Sequence, residues 1–284
     1  MPLFEYHVAD VFTDRPYGGN PLAVFPDAAG LTSAQMQAIA REMNLSETTF
    51  VTPGSAPGRF AMRIFTPGRE LPFAGHPIVG TSIVLKSLGR IAGGEVVLEI
   101  GVGPVRVDVG ADSATFYRDG APEIAAVAVP AAEIAAALGV PALAGAAFEG
   151  GYGTSFLYAP LPDRSAVASA ALRLDLWRAI APRLGAHAVY LYAVTGEGQV
   201  HARLFAPGMG VSEDPATGSA AAGLAGSLPG PEGTQAIAIT QGVEMGRPSL
   251  IRATATRVGG LVTGISIGGG AVVVAEGRLL RLPQ

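Results

Sequence analysis

Cysteine is absent from the 284-residue chain. That excludes disulfides, a thiolate nucleophile and every Cys-ligated metal centre. It fits a reducing compartment, and a cytoplasmic location is expected. Positive charge is scarce as well: 19 Lys and Arg stand against 23 Asp and Glu, a formal net charge of -4. No Lys/Arg run offsets that balance locally, so a nucleic-acid backbone finds no broad positive field. Long apolar runs are missing too. The stretch 269–275 is far too short for a membrane span, and its Val cluster reads as a buried strand. The N-terminus carries acidic residues early and lacks a continuous apolar signal-peptide core. Neither a nucleic acid nor a membrane is therefore an expected partner.

Common catalytic and cofactor signatures are also wanting. The four His have no HExxH spacing. There is no GKS/T phosphate loop, and Gly101-Val-Gly103 lacks the later glycine of a dinucleotide fingerprint. No cofactor and no metal are expected. His187 and His201 read as structural, and Arg247 either holds an anion or covers a strand end.

What the chain does contain is an echo of itself. Arg63-Ile-Phe-Thr-Pro-Gly68 returns 140 residues later as Arg203-Leu-Phe-Ala-Pro-Gly208. Each copy runs on into a Pro/Gly turn and small apolar residues, Pro72-Phe-Ala-Gly-His-Pro77 and Pro215-Ala-Thr-Gly-Ser-Ala220. Six residues separate Gly68 from Gly75 and nine separate Gly208 from Gly218, so the second loop is longer by three. Other segments keep step. A helical pattern at Met36, Ile39, Ala40 and Met43 matches one at Trp177, Ile180, Ala181 and Leu184. Strand-like Thr48 to Val51 matches Val189 to Tyr192, and Val96 to Ile100 matches Ala236 to Thr240. Two homologous lobes meeting at a cleft are expected, cut as 1–122 and 123–284 with exchange of terminal strands allowed.

Within the lobes, Tyr6 to Ala9 and Leu22 to Phe25 read as strands about a Gly18-Gly-Asn-Pro21 turn. Thr32 or Ser33 caps a helix ending near Met43. His76 to Leu88 reads as a buried helix with Pro77 in its first turn, and Ser219 to Leu228 as its Ala/Gly-rich counterpart. A crossover is expected over 112–127, and a short helix over 132–138.

Chemistry could sit where the glycine turns open the two buried helices. Amides there, helped by the helix dipole, can hold a carboxylate or a developing enolate. Equally, both could be plain tight turns, with His76 and Ser219 as cap or packing residues. Glu47, in Asn44-Leu-Ser-Glu-Thr48, is distinguished by a break in the duplication. Aligning Phe50 with Leu191 sets it opposite Ala188, so only one lobe supplies this acid. A carboxyl near an apolar pocket can have its pKa raised, give a proton near neutral pH and then take one back from another carbon. His76, Asp214 and Ser219 could orient the substrate or relay the proton.

On these residues the chain resembles the PhzF-like phenazine-biosynthesis family, within the wider diaminopimelate-epimerase-like group. The match runs in order through Phe12-Thr-Asp-Arg-Pro-Tyr-Gly-Gly-Asn-Pro-Leu-Ala-Val-Phe25, Asn44 to Thr48 and Gly75-His-Pro77. It continues through Asp214-Pro-Ala-Thr-Gly-Ser-Ala220 and Gln241-Gly-Val-Glu-Met-Gly-Arg-Pro-Ser249. The resemblance implies an α+β fold of two similar lobes, each a curled antiparallel-rich sheet around a central helix, and a homodimer. It implies a cofactor-independent isomerase, similar to trans-2,3-dihydro-3-hydroxyanthranilate isomerase, acting on a small carboxylate-bearing substrate. Glu47, His76, Asp214 and Ser219 are then the catalytic candidates, and Asn20, Gly75 and Gly218 the substrate-binding ones. The group's amino-acid epimerases and racemases use paired cysteines, which this chain lacks. A ligand-binding protein that lost catalysis, and a related lyase or hydratase, are the competing readings.

Overall fold

The computed structural model describes residues 4–209 and 211–283. It divides into two compact units, one running up to Tyr117 and resuming at Gly268, the other spanning Arg118–Ile267. Among the described residues no helix is long and apolar enough to cross a membrane.

The first unit contains β1 (Glu5–Val11), β2 (Asn20–Phe25), α1 (Ser33–Met43), β3 (Glu47–Pro53), β4 (Arg59–Phe65) and β5 (Glu70–Leu71). It continues with α2 (Gly75–Ser87), β6 (Gly94–Ile100), β7 (Gly103–Val109) and most of β8 (Ser113–Asp119). β1 pairs antiparallel with β2, β2 runs parallel to β3, and β3 is antiparallel to β4. β4 joins β5 antiparallel and β6 parallel, and β6, β7 and β8 form an antiparallel meander.

This sheet curls round α2, which packs against β1, β2, β3 and β7. Every residue of α2 from Gly75 to Leu85 is buried, so its sequence has no polar face to show. The helix lies close to the sheet because Gly80 has no side chain. A Cβ there would come within 2.6 Å of Val11 Cγ2 and 2.7 Å of Leu22 Cδ2. Outside the sheet, α1 buries Met36, Ile39 and Ala40 on one face against Phe25, Phe50 and Phe65. Thr32 starts α1 with a reciprocal capping box to Gln35, and Asn44 ends it in the left-handed region at φ 51°.

The second unit contains β9 (Glu123–Ala126), α3 (Ala131–Leu138), β10 (Phe148–Gly151), β11 (Phe156–Pro160), α4 (Arg164–Ser169) and α5 (Leu174–Ile180). Then come β12 (Val189–Gly196), β13 (Gln199–Ala206), β14 (Val211–Asp214), α6 (Gly218–Ser227), β15 (Gly233–Gln241) and β16 (Ser249–Val258). β17 (Leu261–Arg278) begins in this unit and ends in the first, where residues 271–278 pair with β1. The pairing repeats the first unit: β11 parallel to β12, β12 antiparallel to β13, β13 parallel to β15, and β15 antiparallel to β16. α6 is the central helix here, buried from Ala220 to Gly226 and packed on β10 and β16. Helices α3, α4 and α5 cover the outer face through Leu138, Val167, Trp177 and Ile180.

The two compact units divide within β8, inside the segment 112–127 expected as the crossover, which is mostly strand, β8 and β9. One expectation needs correction. The Val272–Val274 cluster is strand but not buried: Val273 is exposed and its neighbours are half-buried. Its β-branched residues suit the ladder with β1, and a favourable strand geometry does not require a covered face.

Candidate active site

In the first unit the strand period sets the direction of Glu47. Thr49 shares its face of β3, and Thr49 Oγ1 lies 2.8 Å from Thr81 Oγ1 on the central helix α2. Glu47, two residues earlier, therefore points to the start of that helix. There its Oε2 lies 3.2 Å from His76 Nε2, with the two side chains 15% and 5% exposed. On the other side of the ring, Asn20 Nδ2 lies 3.4 Å from His76 Nδ1, and Asn20 is fully buried.

Polarity follows from chemistry. An amide NH2 donates only, so Nδ1 accepts and the imidazole proton sits on Nε2, facing the carboxyl. Burial pushes the His76 pKa down to about 3, because a low-dielectric surrounding penalises the imidazolium. The ring is thus neutral at ordinary pH and stands beside Glu47 without neutralising it. Gly75 opens α2 beside His76, and the N-cap residue Ala74 has no side-chain oxygen to bond the first-turn amides.

In the second unit Asp214 ends β14, and Gly218 and Ser219 open α6. Thr217 is the N-cap residue, yet its side chain makes no capping bond. Its hydroxyl donates instead to Asp214 Oδ2 at 2.5 Å. Gly218 is buried and Ser219 is half-buried. Asp214, Gly218 and Ser219 are thus gathered on one turn, as Asn20, Glu47, Gly75 and His76 are gathered in the first unit.

Sequence reasoning passed over three residues of the second cluster: Thr217, Tyr190 and Gln241. Gln241 Nε2 donates to the Asp214 carbonyl at 2.8 Å and to Thr217 Oγ1 at 3.2 Å. Its Oε1 accepts from the Thr217 amide at 3.2 Å and the Tyr190 hydroxyl at 3.1 Å. The available signal was the position of Gln241 at the end of a repeated strand where the first unit has glycine.

His201 Nε2 pairs with Glu244 at 2.8 Å, and His201 is buried. Arg247 lies in the turn closed by its own amide on the Gly242 carbonyl at 3.0 Å. Among the described residues no group of three His, Asp or Glu could hold a metal ion. A surface hollow of about 480 Å³ in the first unit, lined by Asp27, Arg59, Phe60 and Arg90, contains none of the candidate residues. Nor does one of about 310 Å³ in the second, lined by Glu123, Glu149, Thr154 and Ser155.

Residues 9–277 match the model of the PhzC-PhzF family, described as phenazine biosynthesis-like protein. The chain is 43% identical over 305 aligned residues to an uncharacterized isomerase of Mesorhizobium japonicum, covering 98% of this chain and 99% of the relative. It is 40% identical over 288 residues to trans-2,3-dihydro-3-hydroxyanthranilate isomerase of Pseudomonas aeruginosa, with 97% and 99% covered. The crystal structure of a PhzF-family phenazine biosynthesis protein from Bacillus anthracis superposes with a TM-score of 0.89 at 23% identity, covering 99% of this chain and all of that one. The match along nearly the whole length, and the two curled sheets each holding a buried helix, make this chain a member of the phenazine biosynthesis-like family with the diaminopimelate-epimerase-like fold.

Proposed function

We propose that the chain is a cofactor-independent isomerase of a small unsaturated or cyclic carboxylic acid, and that Glu47 moves the proton. The observation that carries this is the Asn20–His76–Glu47 array, in which a neutral imidazole stands 3.2 Å from a carboxyl supplied by only one of two repeated units. As carboxylate, Glu47 takes a proton from an acidic C–H, and the electron pair delocalises into the substrate. As carboxylic acid it returns the proton to a different carbon. Substrate and product then have the same mass, and no electron acceptor is needed. Asp214 and Ser219 are assigned the orienting of the substrate, and first-turn amides such as those around Gly75 hold its carboxylate, as helix N-termini do.

The similarity to a named trans-2,3-dihydro-3-hydroxyanthranilate isomerase supports that compound as the first substrate to try. The test follows its ultraviolet spectrum with purified protein and weighs the product by mass spectrometry. A protein-dependent spectral change at constant mass is the expected result. Loss of the mass of water would mean a lyase, and a folded protein that leaves the spectrum untouched would remove this substrate.

A further inference from the structure

Gln241 is fully buried, and all of its amide's hydrogen-bonding capacity is used. Its two N–H groups serve the Asp214 carbonyl and Thr217 Oγ1, and its oxygen serves the Thr217 amide and the Tyr190 hydroxyl. The orientation is unambiguous, because a backbone carbonyl only accepts and a backbone amide only donates. It also fixes the next bond. With an amide N–H directed at its oxygen, Thr217 turns its own proton to Asp214 Oδ2, 2.5 Å away.

The duplication shows what this arrangement replaces. At the 140-residue offset Gln241 corresponds to Gly101. In the first unit the strand end meets the glycine turn through backbone: the Val102 amide donates to the Pro72 carbonyl at 3.2 Å. A Cβ at Gly101 would come within 2.8 Å of Pro72 Cα. In the second unit the turn is three residues longer and carries Asp214. A longer turn has more conformations to lose, and a side chain now reaches across to fix it. Gly242, at φ 75°, brings the next backbone up to the Pro215 carbonyl, where a Cβ would come within 2.5 Å.

We infer that Gln241 is a positioning residue: it holds the Asp214–Thr217 turn and, through the Thr217 hydroxyl, aims the Asp214 carboxylate. Its effect on turnover rests on the isomerase reading, whereas its grip on the turn does not. The two are separated by measuring both. Amide hydrogen exchange on the ligand-free protein reads the turn, and kcat and KM for trans-2,3-dihydro-3-hydroxyanthranilate read the consequence.

Gln241→Met keeps the length and removes all four bonds. Exchange at residues 216–219 should accelerate while α2 stays unchanged, and kcat should fall on the order of 10- to 100-fold with little change in KM. Gln241→Glu is nearly isosteric and guards against a misfolded Met variant. Protonated, the introduced carboxyl keeps an acceptor and one O–H donor; ionised, it keeps no donor and repels Asp214. Activity relative to wild type should therefore fall as pH rises through the ionisation of that carboxyl, a dependence that a merely structural residue would not create. Unchanged exchange and unchanged kcat in Gln241→Met would overturn the inference. If wild type does not turn over this compound, that substrate is removed, and the exchange data still decide whether Gln241 holds the turn.

Discussion

Arg63 and Arg203 occupy the same place in the two units and share two contacts, while Arg63 Nη1 also donates to Ser33 Oγ at 2.9 Å. Each grips one glutamate with Nε and Nη2: Arg63 holds Glu70 at 2.7 and 2.6 Å, and Arg203 holds Glu213 at 2.8 and 3.0 Å. Each guanidinium also lies over the phenylalanine two residues on, 5.0 Å from Phe65 and 4.8 Å from Phe205. The glutamate comes seven residues later in one unit and ten in the other, so the three extra residues are absorbed before the pairing is remade. Solvent differs as well. The first pair is 37% and 44% exposed and the second 9% and 16%. Arg203 also donates to the carbonyls of Val167, Ala168 and Ala170 at the end of α4. Repetition thus marks scaffold, and burial decides how much each copy matters. Residues that break the repetition, Glu47 against Ala188, His76 against Ser219 and Gln241 against Gly101, are where a shared structural purpose is missing.

The comparison breaks most visibly at the two arginines. Arg203→Ala should cost about 3 kcal/mol, since it leaves Glu213 and three carbonyls short of a partner in a poorly hydrated place. Arg63→Ala should cost under about 1 kcal/mol, the usual worth of an exposed pair. Urea unfolding of the two variants would show it, and equal losses would refute the role given to burial.

A smaller effect separates the two helix starts, where His76 stands opposite Ser219. The folded His76 pKa is about 3, below the ordinary 6.5, so the unfolded chain binds the proton more readily. Stability from this group is therefore intact above about pH 6.5 and declines as pH falls toward 3, by up to about 1.4 kcal/mol per pH unit. His76→Ser, which makes the two starts alike, should flatten that part of the profile. Chemical denaturation between pH 7 and pH 5 checks the slope, and identical slopes would contradict a neutral buried imidazole.

The smallest effect lies on the outer helices. Thr32 caps α1 with its side chain, whereas Arg173 precedes α5 without such a bond. Thr32→Ala should cost about 1 kcal/mol and Arg173→Ala close to nothing, measured as shifts in the urea midpoint.

Much of this architecture was legible because the chain states it twice. The repeated RxFxPG segment marked the duplication, its first residues lying in β4 and β13, and the glycine turns that follow located the starts of α2 and α6. Thr32 was readable as a cap because capping is a local interaction. Glu47 stood out by its missing counterpart, and the strand period then directs it to His76. Gln241 could be quoted but not interpreted, because its four bonds reach residues 24 to 51 positions away. Val272–Val274 misled for a related reason: an apolar run predicts a strand, but which face is covered depends on distant elements.

The central claim is that Glu47 is the acid/base, and comparing wild type with Glu47→Gln on trans-2,3-dihydro-3-hydroxyanthranilate tests it most directly. The account expects a spectral change with wild type that slows by roughly 10² to 10⁴ in the variant, while both proteins unfold at the same urea concentration. Equal rates in the two proteins would contradict it.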